Sequence, residues 1–472
     1  MRVLAAVGSV CAAVIVATGS TAATASSAAA RGGALSPVSS ASSSSRGVTQ
    51  HGINVVFPVV SLNSLAGKEG FAEDAEYGEQ TKAITLFVKQ VNDDGGIHGR
   101  KIVPIITNYD PTNETQMRSL CKDWTEGSPA AFAVVDGLGA WTGDNQLCIT
   151  QEGHTPFLGA WTTITDWTKV GSPYLWWIGP DQATILQAVV NWGLSAHLIG
   201  GTIKVGVIAG SRASDQAALD TYLLPDLRNA GVDPIVKTID ADPNDTATTG
   251  TQSPLVIQQL RSAGVTSIIP LMPFNVFFPV LQAETTQQYF PRLLLSDYES
   301  SILSSLGLLP IPYAKALDGQ EGVTTETLGG IDDPRPESQG GYDTGVRQCW
   351  TVWHKAYPET PPGNINDFIE EQGPIVGWCQ AIHLFETAAT AAGPDLNRRT
   401  FVTAMSKIKE FDGTWSPVLS YGPNKRYGPT EYRVVELHVN SPPSSLCKRG
   451  AGQPAAGACW IIVRPWQPLP AG

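Results

Sequence analysis

At 472 residues the chain is longer than one ordinary domain, so two lobes are the natural expectation. Its composition is 42% hydrophobic and 16% charged, the balance of a globular protein rather than a disordered one. A formal net charge of −12 argues against a nucleic-acid partner, because phosphate binding needs a basic face.

The first 30 residues read as a secretion signal. Arg2 supplies a minimal positive region, Val3 to Ala17 is apolar but short for a bilayer span, and A-x-A cleavage options follow at Ala23-Thr24-Ala25 and Ala28-Ala29-Ala30. Residues 31–51 form a Ser/Ala/Gly-rich tether. Cys11 is a poor lipid anchor, since Val10 precedes it and the apolar run continues past it. The expected location is therefore secreted or cell-surface, outside a bacterial cytoplasm, with lipoprotein anchoring through Cys11 the less favoured alternative. Removing Cys11 leaves Cys121, Cys148, Cys349, Cys379, Cys447 and Cys459. An even count in an exported chain reads as disulfides. Sequence neighbours suggest Cys121–Cys148, Cys349–Cys379 and Cys447–Cys459, out of fifteen possible pairings.

The first element is a strand-length apolar run, Ile53 to Val60. A polar loop follows, and then a helix over Glu79–Asn92 with apolar residues at Ala83, Ile84, Phe87, Val88 and Val91. The segment DDGGIHGRKIVPIITNYD stops that helix with glycines and turns the chain into a second buried strand. This is a βαβ unit, and such units build parallel sheets with ligand sites at the carboxyl ends of the strands. A helix capped near Asp110-Pro111 comes next, followed by strands at Ala130–Gly137 and near Thr155–Ala160 and a helix from about Asp181. A second alternation starts at Thr202–Ser211. Its first helix carries Pro225 as an interior blemish, and its later strands are VDPIVKTI, TSIIPLM and RLLLSD. Buried helices are expected at Gly373–Gly393 and at NRRTFVTAMSKIKEF, with a strand-rich stretch after them.

The turn VNDDGGIHGRKI, with Tyr77-Gly78 before it and Asp110-Pro111 after it, resembles that of the type I periplasmic binding proteins. The likeness is to the branched-chain amino-acid (Leu/Ile/Val-type) solute-binding family and covers about Gly52 to Leu437. It implies an α/β fold of two doubly wound parallel-sheet lobes joined by crossover strands. Residues 52–178 plus 323–410 would form lobe 1, and residues 179–322 plus 411–440 lobe 2. Residues 441–472 would be a Pro-rich C-terminal appendage.

The resemblance further implies a monomer that captures a small solute between the lobes and delivers it to an ABC permease. Other roles for this scaffold are an extracellular sensory module and a secreted enzyme. Carried over by position, a ligand carboxylate would meet Trp141, Thr142, Thr162 and Thr163, and a ligand ammonium would meet Asp297, Tyr298 and Glu299. Ser61 opens the first ligand loop, while Ser214 and Phe274 fall near positions where relatives place aromatics. Trp141 stands where the family often has serine, which removes a hydroxyl. Together with Trp161 it offers flat stacking surfaces, so the expected ligand is an amino acid, an amide, an aromatic compound or a similar solute. No G-x-S-x-G elbow, C-x-x-C or H-x-x-x-H spacing occurs, so no catalytic residue, metal or cofactor is expected.

Overall fold

The computed structural model describes residues 45–61, 80–110, 113–137, 145–160, 164–240, 246–298, 314–326, 344–358, 373–414, 416–440 and 457–470. The expected signal segment, most of the expected tether and Cys447 lie outside them.

Five strands form the first sheet: β1 (Gly52–Val60), β2 (Lys101–Tyr109), β3 (Ala133–Val135), β4 (Phe157–Gly159) and β5 (Leu175–Trp177). They run parallel in the order β2-β1-β3-β4-β5. Helix α1 (Gln80–Asp93) packs on this sheet through Ala83, Ile84, Phe87, Val88 and Val91, the apolar stripe visible in the sequence. The GGIHGR turn has a definite mechanism. Gly96 has φ +66°, and a Cβ there would meet the Arg100 carbonyl oxygen at 2.2 Å. Asn92, in the last turn of α1, then fixes the start of β2. Its side chain donates to Ile102 O (2.9 Å) and accepts from Ile102 N (2.7 Å).

Helix α2 (Glu114–Glu126) is capped by Asn113, which accepts from Gln116 N. Cys121 in α2 is bonded to Cys148, with a Cα–Cα distance of 6.3 Å. Helix α3 (Gln182–Ser195), capped by Asp181, carries the chain into the second lobe.

That lobe contains β6 (Val205–Gly210), β7 (Ile235–Ile239), β8 (Ser267–Leu271), β9 (Arg292–Ser296) and β10 (Glu321–Thr324), then β13 (Glu431–Asn440) and β14 (Gly457–Pro468). The order is β14-β13-β10-β9-β8-β6-β7, with the pairs β10–β13 and β13–β14 antiparallel. Pro225 is accommodated without a break. A wider helical turn at Leu219–Leu223 resets the ladder, and Leu224–Asn229 starts afresh with the proline in its first turn. Helix α4 (Thr246–Ser262) lies between β7 and β8, and α5 (Phe274–Gln287) between β8 and β9.

Val323 and Thr324 pair with β9 or β13 in the second sheet, so the chain leaves that lobe only beyond Thr324. Helices α6 (Thr344–Ala356) and α7 (Gly373–Ala391) belong with the first lobe, where Cys349 and Cys379 join them. Helix α8 (Arg398–Met405) follows, with a capping box at Asn397. The short pair β11 (Phe411–Asp412) and β12 (Val418–Leu419) also stays with the first lobe, because Thr414 bonds Gln380 and Val376 O (2.7 Å) on α7. The C-terminal segment holds the edge strand β14. Half-buried and exposed side chains alternate over Ile462–Trp466, which suits an edge position, and partners far away in sequence (β13) decide it.

Candidate ligand-binding cleft

Both sheets are wound alike. The first runs 2-1-3-4-5 in its own strands, and the second repeats that order as β7-β6-β8-β9-β10. In such sheets the ligand crevice lies beyond the carboxyl ends of the strands where the winding reverses. Those points are between β1 and β3 in one lobe and between β6 and β8 in the other. Ser61 and the pair Asp136-Gly137 stand at the first point, and Ser211–Asp215 and Met272-Pro273 at the second. Residues just past β4 reach residues of the second lobe. The Tyr222 hydroxyl donates to Asp166 Oδ1 (3.3 Å), and Ala183 N–H donates to Thr165 Oγ1 (3.0 Å).

The wall of the second lobe carries a polar network. Arg212 donates through Nε to Asp215 Oδ2 and through Nη2 to Asp215 Oδ1, both at 2.8 Å. The Asp215 side chain is fully buried, and it also accepts from the Tyr298 hydroxyl at 2.6 Å. Gln182, at the start of α3, donates to the Tyr298 hydroxyl at 3.1 Å. A carboxylate taken out of water needs several donors, and the fork of the guanidinium supplies two of them in one plane. The network links the first passage between the lobes to the β6 and β9 ends of the second sheet. Sequence reasoning singled out Ser214 in this loop and passed over Arg212, Asp215 and Gln182. The i,i+3 spacing of Arg212 and Asp215 at a helix start was the available signal.

The sequence-predicted residues fall into three groups. Trp141, Thr142, Trp161, Thr162, Thr163 and Glu299 lie outside the described residues. Phe274 opens α5, and its side chain is also outside them. Ser61 and Ser214 are half-buried at the two switch points, and Ser61 N–H donates to Tyr109 O (2.8 Å). Tyr298 and Asp297 are buried at the end of β9. Asp297 Oδ2 accepts from Thr325 N (2.6 Å) and Thr325 Oγ1 (3.0 Å), which ties β9 to the chain leaving β10. Burial pushes the Asp297 carboxyl up to about 6, against the pull of these donors and of Arg433. Among the described residues no cluster of three or more His, Cys, Asp or Glu side chains is arranged to hold a metal ion. None of their helices is long and apolar enough to cross a membrane.

Two doubly wound sheets, each with its own switch point, are the architecture of a bilobal ligand-binding protein. Residues 70–441 match the family model described as periplasmic binding protein, and the chain belongs to that family. No curated protein matches the sequence. Solved structures share the fold at low identity. One is a fatty acid ABC transporter substrate-binding protein from Thermomonospora curvata, with TM-score 0.60, 17% identity, and coverage of 89% of this chain and 93% of that one. Another is a solute-binding protein of an ABC transporter from Rhodopseudomonas palustris BisB5 in complex with 3,4-dihydroxy benzoic acid, with TM-score 0.60, 13% identity, and coverage of 89% and 98%. A third is a branched-chain amino acid ABC transporter protein from Thermus thermophilus with bound valine, with TM-score 0.60, 12% identity, and coverage of 90% and 98%.

Proposed function

We propose that this protein captures a small solute between its lobes, outside the cytoplasm, and presents it to an ABC importer. The observation that carries this reading is the repeated strand order, which gives each lobe a switch point of the kind that binds ligands. A ligand held by both walls favours the closed arrangement by its differential affinity for it. The chemistry is capture without turnover. Micromolar binding would correspond to about −8 kcal/mol, net of the cost of closure.

Proteins of similar fold include a fatty acid ABC transporter substrate-binding protein and two with 3,4-dihydroxy benzoic acid or valine bound, so solutes bearing a carboxylate are the first to screen. The stacking surfaces expected from the sequence at Trp141 and Trp161 favour those with a ring. Purified protein is to be heated with panels of amino acids, amides, aromatic acids and fatty acids. One class should raise the melting temperature, and small-angle scattering should show compaction with the same class. If no class does either, the transport reading fails.

A further inference from the structure

Besides its return beyond β10, the chain passes between the lobes at two places that lie side by side, the first after β5 and the second between β12 and β13. Trp177 N–H donates to Arg426 O (2.7 Å), Trp177 bridges Tyr427, and the Tyr421 hydroxyl donates to Trp177 O (3.1 Å). Gly428 approaches so closely that a Cβ there would lie 2.9 Å from Ile178 O. Inside the second passage sits the ammonium of Lys425. It donates to Ser420 O (2.7 Å), Tyr427 O (2.9 Å), Gly428 O (2.8 Å) and Pro429 O (3.0 Å). It also lies 4.5 Å from the centroid of the Tyr427 ring. Its acceptors come from both arms of the loop, Ser420 before the Gly422–Lys425 turn and the other three after it.

We infer that Lys425 is a proton-controlled clamp on the interlobe hinge: charged, it stiffens the second passage; neutral, it lets that passage and the lobes move. The inference rests on the bilobal reading and does not depend on which solute is bound. An ammonium has three N–H donors and no lone pair, so it can serve four carbonyls by sharing. A neutral amine keeps two N–H groups and turns a lone pair toward oxygen. Gly428 O keeps the Ser420 N–H (2.8 Å), but two N–H groups cannot each serve one of the other three carbonyls, so at least one is left short of a donor, which loosens the loop it belongs to.

Burial pushes Lys425 down to about 7; Asp181 pulls it up and Lys409 pushes it further down. The other charged or titrating groups around it are Arg426, Tyr421, Tyr427 and Asp181. The Arg426 guanidinium lies 4.0 Å from the Trp176 ring centroid and donates to Pro173 O (3.0 Å) and Ser172 Oγ (3.2 Å). Tyr421 and Tyr427 are both raised by burial, which keeps them neutral near pH 7. Asp181 is also raised by burial, and it caps α3 through Thr184 N. Among the described residues it is the rival for a titration seen at this hinge.

The test uses the full chain with no solute added. Nitroxides are placed at Lys89→Cys on α1 and Gln259→Cys on α4, both exposed and in different lobes. Distances between them are measured by pulsed electron resonance from pH 5.5 to 9. The distribution should broaden at least two-fold with a midpoint near neutrality. Lys425→Arg should stay narrow to pH 9, and Lys425→Met should be broad throughout. A flat wild-type profile would overturn the proposal. So would a Lys425→Arg profile with the wild-type midpoint, which would assign the titration to Asp181. If Lys425→Met does not fold, lysine Cε resonances decide: one should shift between pH 6 and 8 in the wild type and be absent from Lys425→Arg. A failed solute screen would leave this measurement intact, so the two ideas fail separately.

Discussion

Asp297 provides a quantitative test of how the end of β9 is built. Its carboxyl is buried and joined to Thr325, and it titrates at about 6 in the folded chain against 3.8 when unperturbed. The folded state therefore binds the proton more tightly than the unfolded state. Between these two values the folded chain holds more protons, so stability falls as pH rises through the window. The shift of roughly 2 units corresponds to about 3 kcal/mol in all, of which about 2 kcal/mol falls between pH 4.5 and 7.5. Asp297→Asn keeps the size of the side chain and one carbonyl oxygen for Thr325, and it removes the titration. The stability of the Asn variant relative to wild type should rise by about 2 kcal/mol from pH 4.5 to 7.5. Urea unfolding of both proteins at half-unit pH steps measures that difference directly. A difference that stays flat with pH, or that moves against the variant, would refute the account of this carboxyl.

Other consequences concern stability and the cleft wall. Glu284 on α5 is fully buried, its carboxyl has no hydrogen-bond partner among the described residues, and burial holds its pKa well above the usual range. Glu284→Met should stabilise the protein by about 1–3 kcal/mol at pH 7, more at higher pH; a loss in denaturant midpoint at pH 8 would contradict this. Opening Cys121–Cys148 by a double serine substitution releases a loop with a sequence separation of 27 and should cost about 3–4 kcal/mol in the chain-entropy model, read as a fall in melting temperature. Arg212→Met leaves the buried Asp215 without its forked partner and should cost about 3–5 kcal/mol in urea unfolding. In Arg212→Lys a point charge replaces the fork, so stability should recover in part; full recovery would mean that the planar geometry does not matter.

The amino-acid sequence by itself determined the βαβ alternation, the register of α1 against its sheet and the Gly95–Arg100 turn. Each depends on neighbours within a few residues: an apolar stripe at helical spacing, glycines at positive φ, and Asn92 bonding Ile102. Two disulfides were legible for the same reason, since Cys121–Cys148 and Cys349–Cys379 join cysteines near in sequence. Tertiary structure alone decided that β10 stays in the second sheet and that the Pro-rich tail supplies β14, because strand pairing is settled by partners such as β13. It also decided that Tyr298 faces Asp215 and Gln182, and that Asp297 bonds Thr325. The Lys425 clamp depends on a loop folding back on itself beside Trp177, a closeness in space that spacing along the chain does not encode. Local rules act through the backbone of a few residues, whereas buried charge is placed by whatever donors the whole fold brings to it.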